Sequence, residues 1–497
     1  MNLANCQMIR RKKIARLCAG GLPRALEICS GAGGLSLGLK TAGFNLAAHI
    51  EIDPEAAASY ALNFGRDQDF DDEWARPRDM EHSSASQLVS DLGFTTSASE
   101  SFDLLAAGLP CQAFARIGRS KLRSVAGKDD AFQKDPRAIL YRRFLEYVED
   151  TQPLIILMEN VPDILNFGGH NVPEEICDTL ERAGYRTGYT ILNAAYYGVP
   201  QVRERLFIIA LAEELGQTPQ FPAPTHFLNL PKGYEGSRRV ALKHVDKASR
   251  YFHPIPTPHD RLKQAIGTRN ALEDLPRIKE HVVAPSIIRK RRLSDFLPYR
   301  ECKAPPSAYA TSMREWPDFE TSEGTNGHLV RLTPRDFPIF AKMKNGGDYP
   351  HAREVAEKFF AEAVLTSGMI SRRKESKAYQ DLRTSIVPPY DPGKFPNKWW
   401  KLDPSKPSRT LTAHMGKDTY SHIHYDSKQS RTVSVREAAR LQSFPDGFVF
   451  AGAMNAAFRQ IGNAVPPLLS LAVAKVLKDQ LSEILRAKKG ATDRRAA

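Results

Sequence analysis

Between residues 24 and 211 short apolar runs alternate with stretches of helical spacing, a rhythm that few architectures accept. The runs are Arg24–Cys29, Asn45–Ile52, Phe102–Ala107, Leu154–Met158 and Leu206–Ala210, with helical stretches such as 138–150 and 173–183 between them. Runs this apolar read as strands buried on both faces, the condition of a parallel sheet covered by helices. The reading is a doubly wound α/β domain. In such a sheet ligands bind beyond the carboxyl ends of the strands, so the residues that follow each run are where chemistry is expected.

The chain is 497 residues long, which by length suits about three domains or two unequal lobes. Residues 212–400 break the rhythm, being rich in Pro, Arg, Lys and aromatics with weak periodicity. Disorder is the plain alternative there, but Trp316, Phe337, Phe340, Trp399 and Trp400 argue for a core, hence a second, irregular lobe. Regularity returns over 401–486. Ser434-Val435-Arg436-Glu437 is a capping box opening a helix. Leu468, Leu469, Ala472, Val476 and Leu481 are spaced for another from about 465 to 486, before a charged, fraying tail at 487–497. The expected organisation is a basic extension (1–22), a first domain (23–215), a second lobe (216–400), a segment returning to the first domain (401–486) and the tail.

Net charge is +13 and the sequence pI about 9.3. A polyanionic partner explains this excess, although a solvated basic surface would produce the same number. The cysteines at 6, 18, 29, 111, 177 and 302 form no CxxC pair, which speaks against a zinc site and for free thiols in a reducing compartment. No run of about 18 apolar residues is present, so no membrane span is expected. The first residues are basic without the apolar stretch of a secretory signal.

The first strand runs into Ser30-Gly31-Ala32-Gly33-Gly34, where glycines let the backbone approach a ligand. A tight turn alone would read the same way. The second strand ends in Glu51-Ile52, about 20 residues on, where an acid can bind both hydroxyls of a ribose. Together they suggest an adenosine-bearing cofactor. The spacing is not GxGxxG, which argues against a nicotinamide dinucleotide and allows S-adenosylmethionine.

The strand Phe102–Ala107 ends in Gly108-Leu109-Pro110-Cys111-Gln112. An arbitrary cysteine is more often a buried small hydrophobe than a nucleophile. Here the thiol follows a strand end and Pro110 stiffens its approach. The polar, basic stretch 116–137 reads as a lid. The next strand ends in Glu159-Asn160-Val161-Pro162, placing a carboxylate near Cys111, or else a salt-bridge partner. In Gln201-Val202-Arg203-Glu204-Arg205 alternate side chains share one face if the chain is extended. That face is a fork of guanidinium donors, or an exposed polar strand start.

These residues, in this order, resemble the DNA (cytosine-5) methyltransferase family over about 24–211 and 401–480. Glu27–Gly34 resembles its cofactor loop, Glu51 its ribose-binding acid and Asp79-Met80 its adenine-binding step. Pro110-Cys111-Gln112 resembles the catalytic motif, Glu159-Asn160-Val161 the ENV motif, and Gln201, Arg203 and Arg205 the QxRxR motif. Ser408-Arg409-Thr410-Leu411-Thr412 resembles the motif after the target-recognition region. Gly462-Asn463-Ala464-Val465-Pro466-Pro467 resembles the last motif, which returns to the cofactor site. The chain departs from the pattern at Leu109, where the family usually has Pro, and at Phe114-Ala115, where it commonly has Phe-Ser.

The resemblance implies a Rossmann-like S-adenosylmethionine-dependent methyltransferase sheet with a smaller irregular target-recognition lobe. It implies Cys111, Glu159, Arg203 and Arg205 as catalytic residues. The cofactor would be held by Cys29, Ser30, Gly31, Gly33, Gly34, Leu35, Glu51, Ile52, Asp79, Met80, Gly108, Pro110, Leu140, Asn463, Ala464 and Val465. Gln112, Arg116, Arg119, Gln201 and Arg331 would contact double-stranded DNA, with Asn326–Arg331 on the inner part of the recognition lobe. No metal is implied. Cys111 would add to carbon 6 of a flipped cytosine, with Glu159 at ring nitrogen 3 and the arginines at the base oxygen. The expected setting is a bacterial or phage cytoplasm, as a monomer with companion restriction or defence proteins. A tRNA cytosine methyltransferase and a non-catalytic DNA-binding relative are the alternatives. The long region 212–400 favours duplex DNA, and the intact ionisable groups favour catalysis.

Overall fold

The apolar runs become a six-stranded sheet: β1 (Arg24–Ile28), β2 (Asn45–Ile50), β3 (Leu104–Ala107), β4 (Ile155–Asn160), β5 (Tyr185–Asn193) and β6 (Glu204–Ala212), in the order β2-β1-β3-β4-β6-β5. This is a computed structural model; it describes residues 3–65, 72–110, 139–166, 171–231, 233–301, 304–368, 376–416 and 420–496. Strands β1 to β4 pair in parallel. The expectation of a parallel sheet fails at the far edge, because β6 runs antiparallel to both β4 and β5. The link from β5 to β6 is too short for a parallel crossover, which takes about a dozen residues or more. β5 itself was not expected from sequence. Its Tyr, Thr and Gly residues hide a strand that is nevertheless largely buried.

The chain divides into two units. Unit 1 comprises Met1–Gly198, Arg203–Gln264 and Ala464–Ala497; unit 2 comprises Val199–Val202 and Ala265–Asn463. This moves two expected boundaries. Residues 216–264 cluster with the sheet because Tyr251 and His253 exchange backbone hydrogen bonds with Tyr189 of β5. Residues 401–463 cluster with the second lobe, since a strand at Trp399–Lys401 pairs with one at Tyr420–Ile423.

In unit 1, helix α1 (Leu3–Cys18) forms within the expected basic extension. Its Arg10 and Lys13 are buried. Arg10 donates to the carbonyls of Ala183 and Gly184 at 3.0 Å, and Lys13 to those of Thr151 (2.7 Å) and Gln152 (2.9 Å). Burial pushes the Lys13 ammonium down to about 7. Part of the basic excess therefore closes carbonyls rather than facing a polyanion. Helix α2 (Gly34–Thr41) follows the glycine loop, and α3 (Pro54–Phe64) follows β2. The start of α3 is set locally, with Pro54 at its first position and Asp53 accepting from the amides of Glu55 (3.0 Å) and Ala56 (3.1 Å). Helices α4 (Ile139–Thr151) and α5 (Val172–Arg182) match the expected 138–150 and 173–183.

The C-terminal helix Pro467–Ala496 packs on α2, where Ser470 Oγ donates to Leu35 O at 2.6 Å. A β-carbon on Gly38 would run into Ser470 and the amide of Leu471, so that contact requires glycine. The buried stripe is Leu469, Val473, Leu477, Leu481 and Ile484, rotated from the expected one. The helix does not fray at 487, because the Ala, Lys and Arg of the tail are good helix formers. A window within Met454–Gly490 has the length and hydropathy of a membrane span, and 61% of it is buried in the protein.

In unit 2, α6 (Pro285–Lys290), α7 (Tyr349–Thr366) and α8 (Lys377–Ile386) give more helix than the weak periodicity suggested. Four of the aromatics that argued for a core, Trp316, Phe337, Phe340 and Trp399, are buried. The fifth, Trp400, is half-buried under the Arg409 guanidinium. Helix α9 (Val435–Leu441) begins with the expected capping box, both hydrogen bonds formed, and α10 (Met454–Asn463) ends the unit.

Candidate active site

Sheet register sets four strand-end positions in a row. Ile28 is paired with Ile50 on one side and Ala107 on the other, and Ala107 with Met158. The next residue of each chain is therefore Cys29, Glu51, Gly108 or Glu159. The first, second and fourth carry polar or ionisable groups, and the third leaves a gap.

At the first strand end Cys29 takes a left-handed backbone (φ 53°), and Gly31 (φ 55°) and Gly33 (φ 92°) follow. Only glycine suits Gly33, where a β-carbon would strike Phe64, whereas one on Gly31 would meet open space. Glu51 braces this loop, its Oε2 accepting from Gly31 N at 2.7 Å and its Oε1 from Asp53 N at 2.8 Å. Burial pushes the Glu51 carboxyl up. Ile52 beside it is 63% exposed, an apolar surface at a strand end. Met80 is buried, with its sulfur 3.5 Å from Cys29 Sγ.

The donor set fits S-adenosylmethionine. Glu51 has spare lone pairs for vicinal hydroxyls, Ile52 offers an apolar face to a purine, and Gly31 leaves room for the ligand. Asp79 is less free than expected, its carboxylate accepting from Glu81 N (2.9 Å) and meeting His82 Nδ1 (2.9 Å). Gly33, Gly34 and Leu35 turn the chain into α2, Leu35 buried. Leu140 lies half-buried on α4, and Pro110 is exposed. Val465 is buried in unit 1, next to Ala464; Asn463 is the last residue of unit 2.

Two buried polar chains beneath the loop escaped the sequence reading. Ser36 donates to Glu27 and meets the Tyr60 hydroxyl at 2.6 Å. Ser30 Oγ lies 2.9 Å from His49 Nδ1, whose Nε2 reaches Trp74 O at 2.7 Å. The His49 ring stacks on Tyr60 with centroids 3.7 Å apart. Burial drives His49 down to about 4, so it is neutral at pH 7. The available signal was a Glu and a His inside otherwise apolar strands.

At the fourth strand end Glu159 Oε1 pairs with Arg205 Nε at 2.8 Å, both largely buried. A β-carbon on Gly108 would lie 4.0 Å from Glu159 Oε2, so this carboxylate faces the gap in the row. Burial pushes the Glu159 carboxyl up against the opposing pull of Arg205 and Arg203. Arg203 is buried, and burial together with Arg205 brings its guanidinium below its usual range. Asn160 Nδ2 donates to Leu109 O at 3.2 Å while its Oδ1 accepts from Val161 N at 2.8 Å. The segment leading to Cys111 is thus tied to the strand that carries Glu159. Leu109 is buried. Cys111, Gln112, Arg116, Arg119, the Phe114-Ala115 pair and the lid 116–137 lie outside the described residues. Cys6, Cys18, Cys29 and Cys177 are free thiols.

Two expected DNA contacts are placed otherwise. Gln201 is fully buried in unit 2, donating to Leu441 O and Gln442 and accepting from Leu411 N at 2.8 Å. Its amide is consumed within unit 2, which it helps hold together. Arg331 turns toward the Tyr420 ring, 5.5 Å from its centroid, with Nη1 buried.

The sheet with its reversed strand, the glycine loop and the acid at the second strand end define a Rossmann-like methyltransferase. A crystal structure from E. coli, of a provisionally assigned DNA modification methyltransferase encoded within a prophage, shares the fold. It aligns with a TM-score of 0.54 at 20% identity, covering 93% of this chain and 99% of that one. The chain belongs to the family of C-5 cytosine-specific DNA methylases, whose model matches residues 24–479. It is 38% identical over 461 residues to a provisionally named type II methyltransferase of Oceanobacillus iheyensis, M.OihORF3336P, covering 93% of this chain and 96% of that one. It is 29% identical over 483 residues to the type II methyltransferase M.AgeI of Thalassovita gelatinovora, covering 92% of this chain and 100% of that one.

Proposed function

We propose that this DNA (cytosine-5)-methyltransferase modifies a specific duplex sequence in a restriction-modification or phage-defence setting, in the bacterial cytoplasm and as a monomer. Its relatives among type II methyltransferases support that setting. The observation that carries the chemistry is the Glu159–Arg205 pair, facing the gap at Gly108 beside the segment that leads to Cys111.

Carbon 5 of cytosine is a poor nucleophile, and covalent addition at carbon 6 activates it. In the proposed sequence the Cys111 thiolate forms a bond to carbon 6 while Glu159 delivers a proton to ring nitrogen 3. The raised proton affinity of Glu159 suits that donation. Arg205 fixes the Glu159 carboxylate, and Arg203 supplies charge behind it. Gly31–Gly33 and Glu51 would hold S-adenosylmethionine, which would supply the methyl group for carbon 5 and leave as the neutral thioether. Solvent takes the carbon 5 proton, whose bonding electrons re-form the carbon 5–carbon 6 double bond as the carbon 6–sulfur bond breaks and releases the Cys111 thiolate, and nitrogen 3 returns its proton to Glu159. The target base must leave the duplex, at a few kcal/mol of unstacking. Unit 2 is proposed as the target-recognition lobe.

The test is bisulfite sequencing of DNA from a methylation-free host expressing the protein, together with trapping on duplex DNA carrying 5-fluorocytosine. One methylated sequence and a covalent adduct are expected. Cys111→Ser should abolish the adduct. Glu159→Gln should slow turnover about 10²–10⁴-fold while S-adenosylmethionine still binds. Transfer to tRNA alone, or an adduct that survives Cys111→Ser, would overturn the proposal.

A further inference from the structure

Unit 2 carries an open groove of about 480 Å³. It is assembled from three segments far apart in sequence: residues 288–293, 329–332 and 452–454. Its floor is apolar. Ile288 and Val330 are buried within a small core against which Leu332 packs. Its rim is cationic, formed by Arg289, Arg291 and Arg292.

The three arginines are not equivalent. Arg291 is tied down, donating to His328 O at 3.2 Å and to Glu280 Oε1 at 3.3 Å. Arg289 and Arg292 are exposed, and neither guanidinium has an ion-pair partner among the described residues. Asp295 Oδ2 accepts from the backbone amide of Arg292 at 2.8 Å. Two unpaired guanidinium forks above an apolar floor fit a ligand with an anionic group and an apolar ring or sugar edge. The volume lies within the range of small-ligand sites and suits a single nucleotide. On a chain of net charge +13 whose family acts on DNA, the charge-complementary occupant is a nucleotide of the substrate strand.

We infer that this groove is a DNA-strand anchor of unit 2, with one phosphate between Arg289 and Arg292 and the adjoining sugar or base on the Val330–Leu332 floor. The inference rests on the reading of unit 2 as the recognition lobe. It moves the strand contact from Arg331, whose guanidinium is turned to Tyr420, to the run that follows Ile288.

The experiment uses the full chain, tritiated S-adenosylmethionine and a long unmethylated duplex, with initial rates taken across a salt series. In the double variant Arg289→Ala/Arg292→Ala the KM for DNA should rise ten-fold or more. The rate at saturating DNA should stay within about two-fold. The plot of log affinity against log salt should become shallower by about one, the loss of one neutralised phosphate. Arg289→Lys/Arg292→Lys keeps the charge without the fork and should retain the salt slope. The affinity for S-adenosylmethionine and the thermal midpoint should be unchanged in both variants. An unchanged DNA KM and salt slope in the alanine variant would overturn the anchor. So would inorganic phosphate or deoxyadenosine monophosphate stabilising only the wild type while its DNA KM matches the variant's. If the wild type itself transfers no methyl to duplex DNA, the recognition-lobe reading fails, a result distinct from failure of the groove.

Discussion

Glu27 is an ionisable side chain among the apolar residues of β1. It sits inside β1, buried, and burial pushes its carboxyl up to about 8, assisted by the charges of Glu51 and Glu159 and opposed by its hydrogen bonds from Ser36. Unfolded, the same group titrates near 4.3. Between these values the folded state holds a proton that the unfolded state has lost. Linkage then requires this group's contribution to stability to fall as pH rises through the window, and to level off above about 8. Glutamine has the shape of the protonated form and does not titrate. The difference in thermal midpoint between Glu27→Gln and wild type should therefore be smallest near pH 5 and grow in the variant's favour toward pH 8. A difference that stays flat across that range would mean that Glu27 is ionised in the folded protein. The functional consequence is local, since a neutral Glu27 adds no negative charge to the strand ends that carry Glu51 and Glu159.

At the scale of elements, legibility followed burial. Strands β1 to β4 were readable because double-faced burial admits little but apolar side chains, and their ends marked Glu51 and Glu159. β5 was not readable, since Tyr, Thr and Gly fill an edge strand without an apolar run. Helix α7 was missed because its buried stripe of Tyr349, Ala352, Ala356 and Phe360 is half alanine, which carries little signal. Gln201 was misassigned because alternation along an extended chain does not say which face is solvent. The groove of unit 2 had no sequence signature, as its three segments meet only in the fold. Helix α9 was legible through its capping box, yet the box understates what Glu437 does. Its carboxylate accepts from Arg431 at 2.6 and 2.7 Å and from Ser434 N at 2.7 Å. Burial opposes the charge, but Arg431, His424 and these hydrogen bonds hold the carboxyl down to about 2. Its contribution is therefore complete above the unfolded value near 4.3 and is lost as pH falls through about 2. Glu437→Gln leaves Arg431 buried without its counter-charge, and denaturant unfolding should register a loss of about 3–5 kcal/mol at neutral pH. A loss below about 1 kcal/mol would show that Arg431 finds another acceptor.

At the scale of the whole molecule, the chain builds unit 1 from both ends. Helix α1 closes carbonyls of the sheet domain through Arg10 and Lys13, and the last helix returns to cover α2. That return is fixed by shape as well as apolarity, since Gly38 brings the backbone of Leu471 within reach only because it lacks a β-carbon. The buried residues Leu469, Val473, Leu477, Leu481 and Ile484 each contribute about 1.5–3 kcal/mol. Helix beyond that point carries none of these side chains. Ending the chain after Arg486 should therefore leave the thermal midpoint and S-adenosylmethionine affinity unchanged. Ending it after Asn463 should abolish both the cooperative unfolding of unit 1 and cofactor binding. Calorimetry and titration of the two truncations decide the matter. If the shorter chain still binds S-adenosylmethionine with near-native affinity, the returning helix is a cover over a sheet domain that already stands without it.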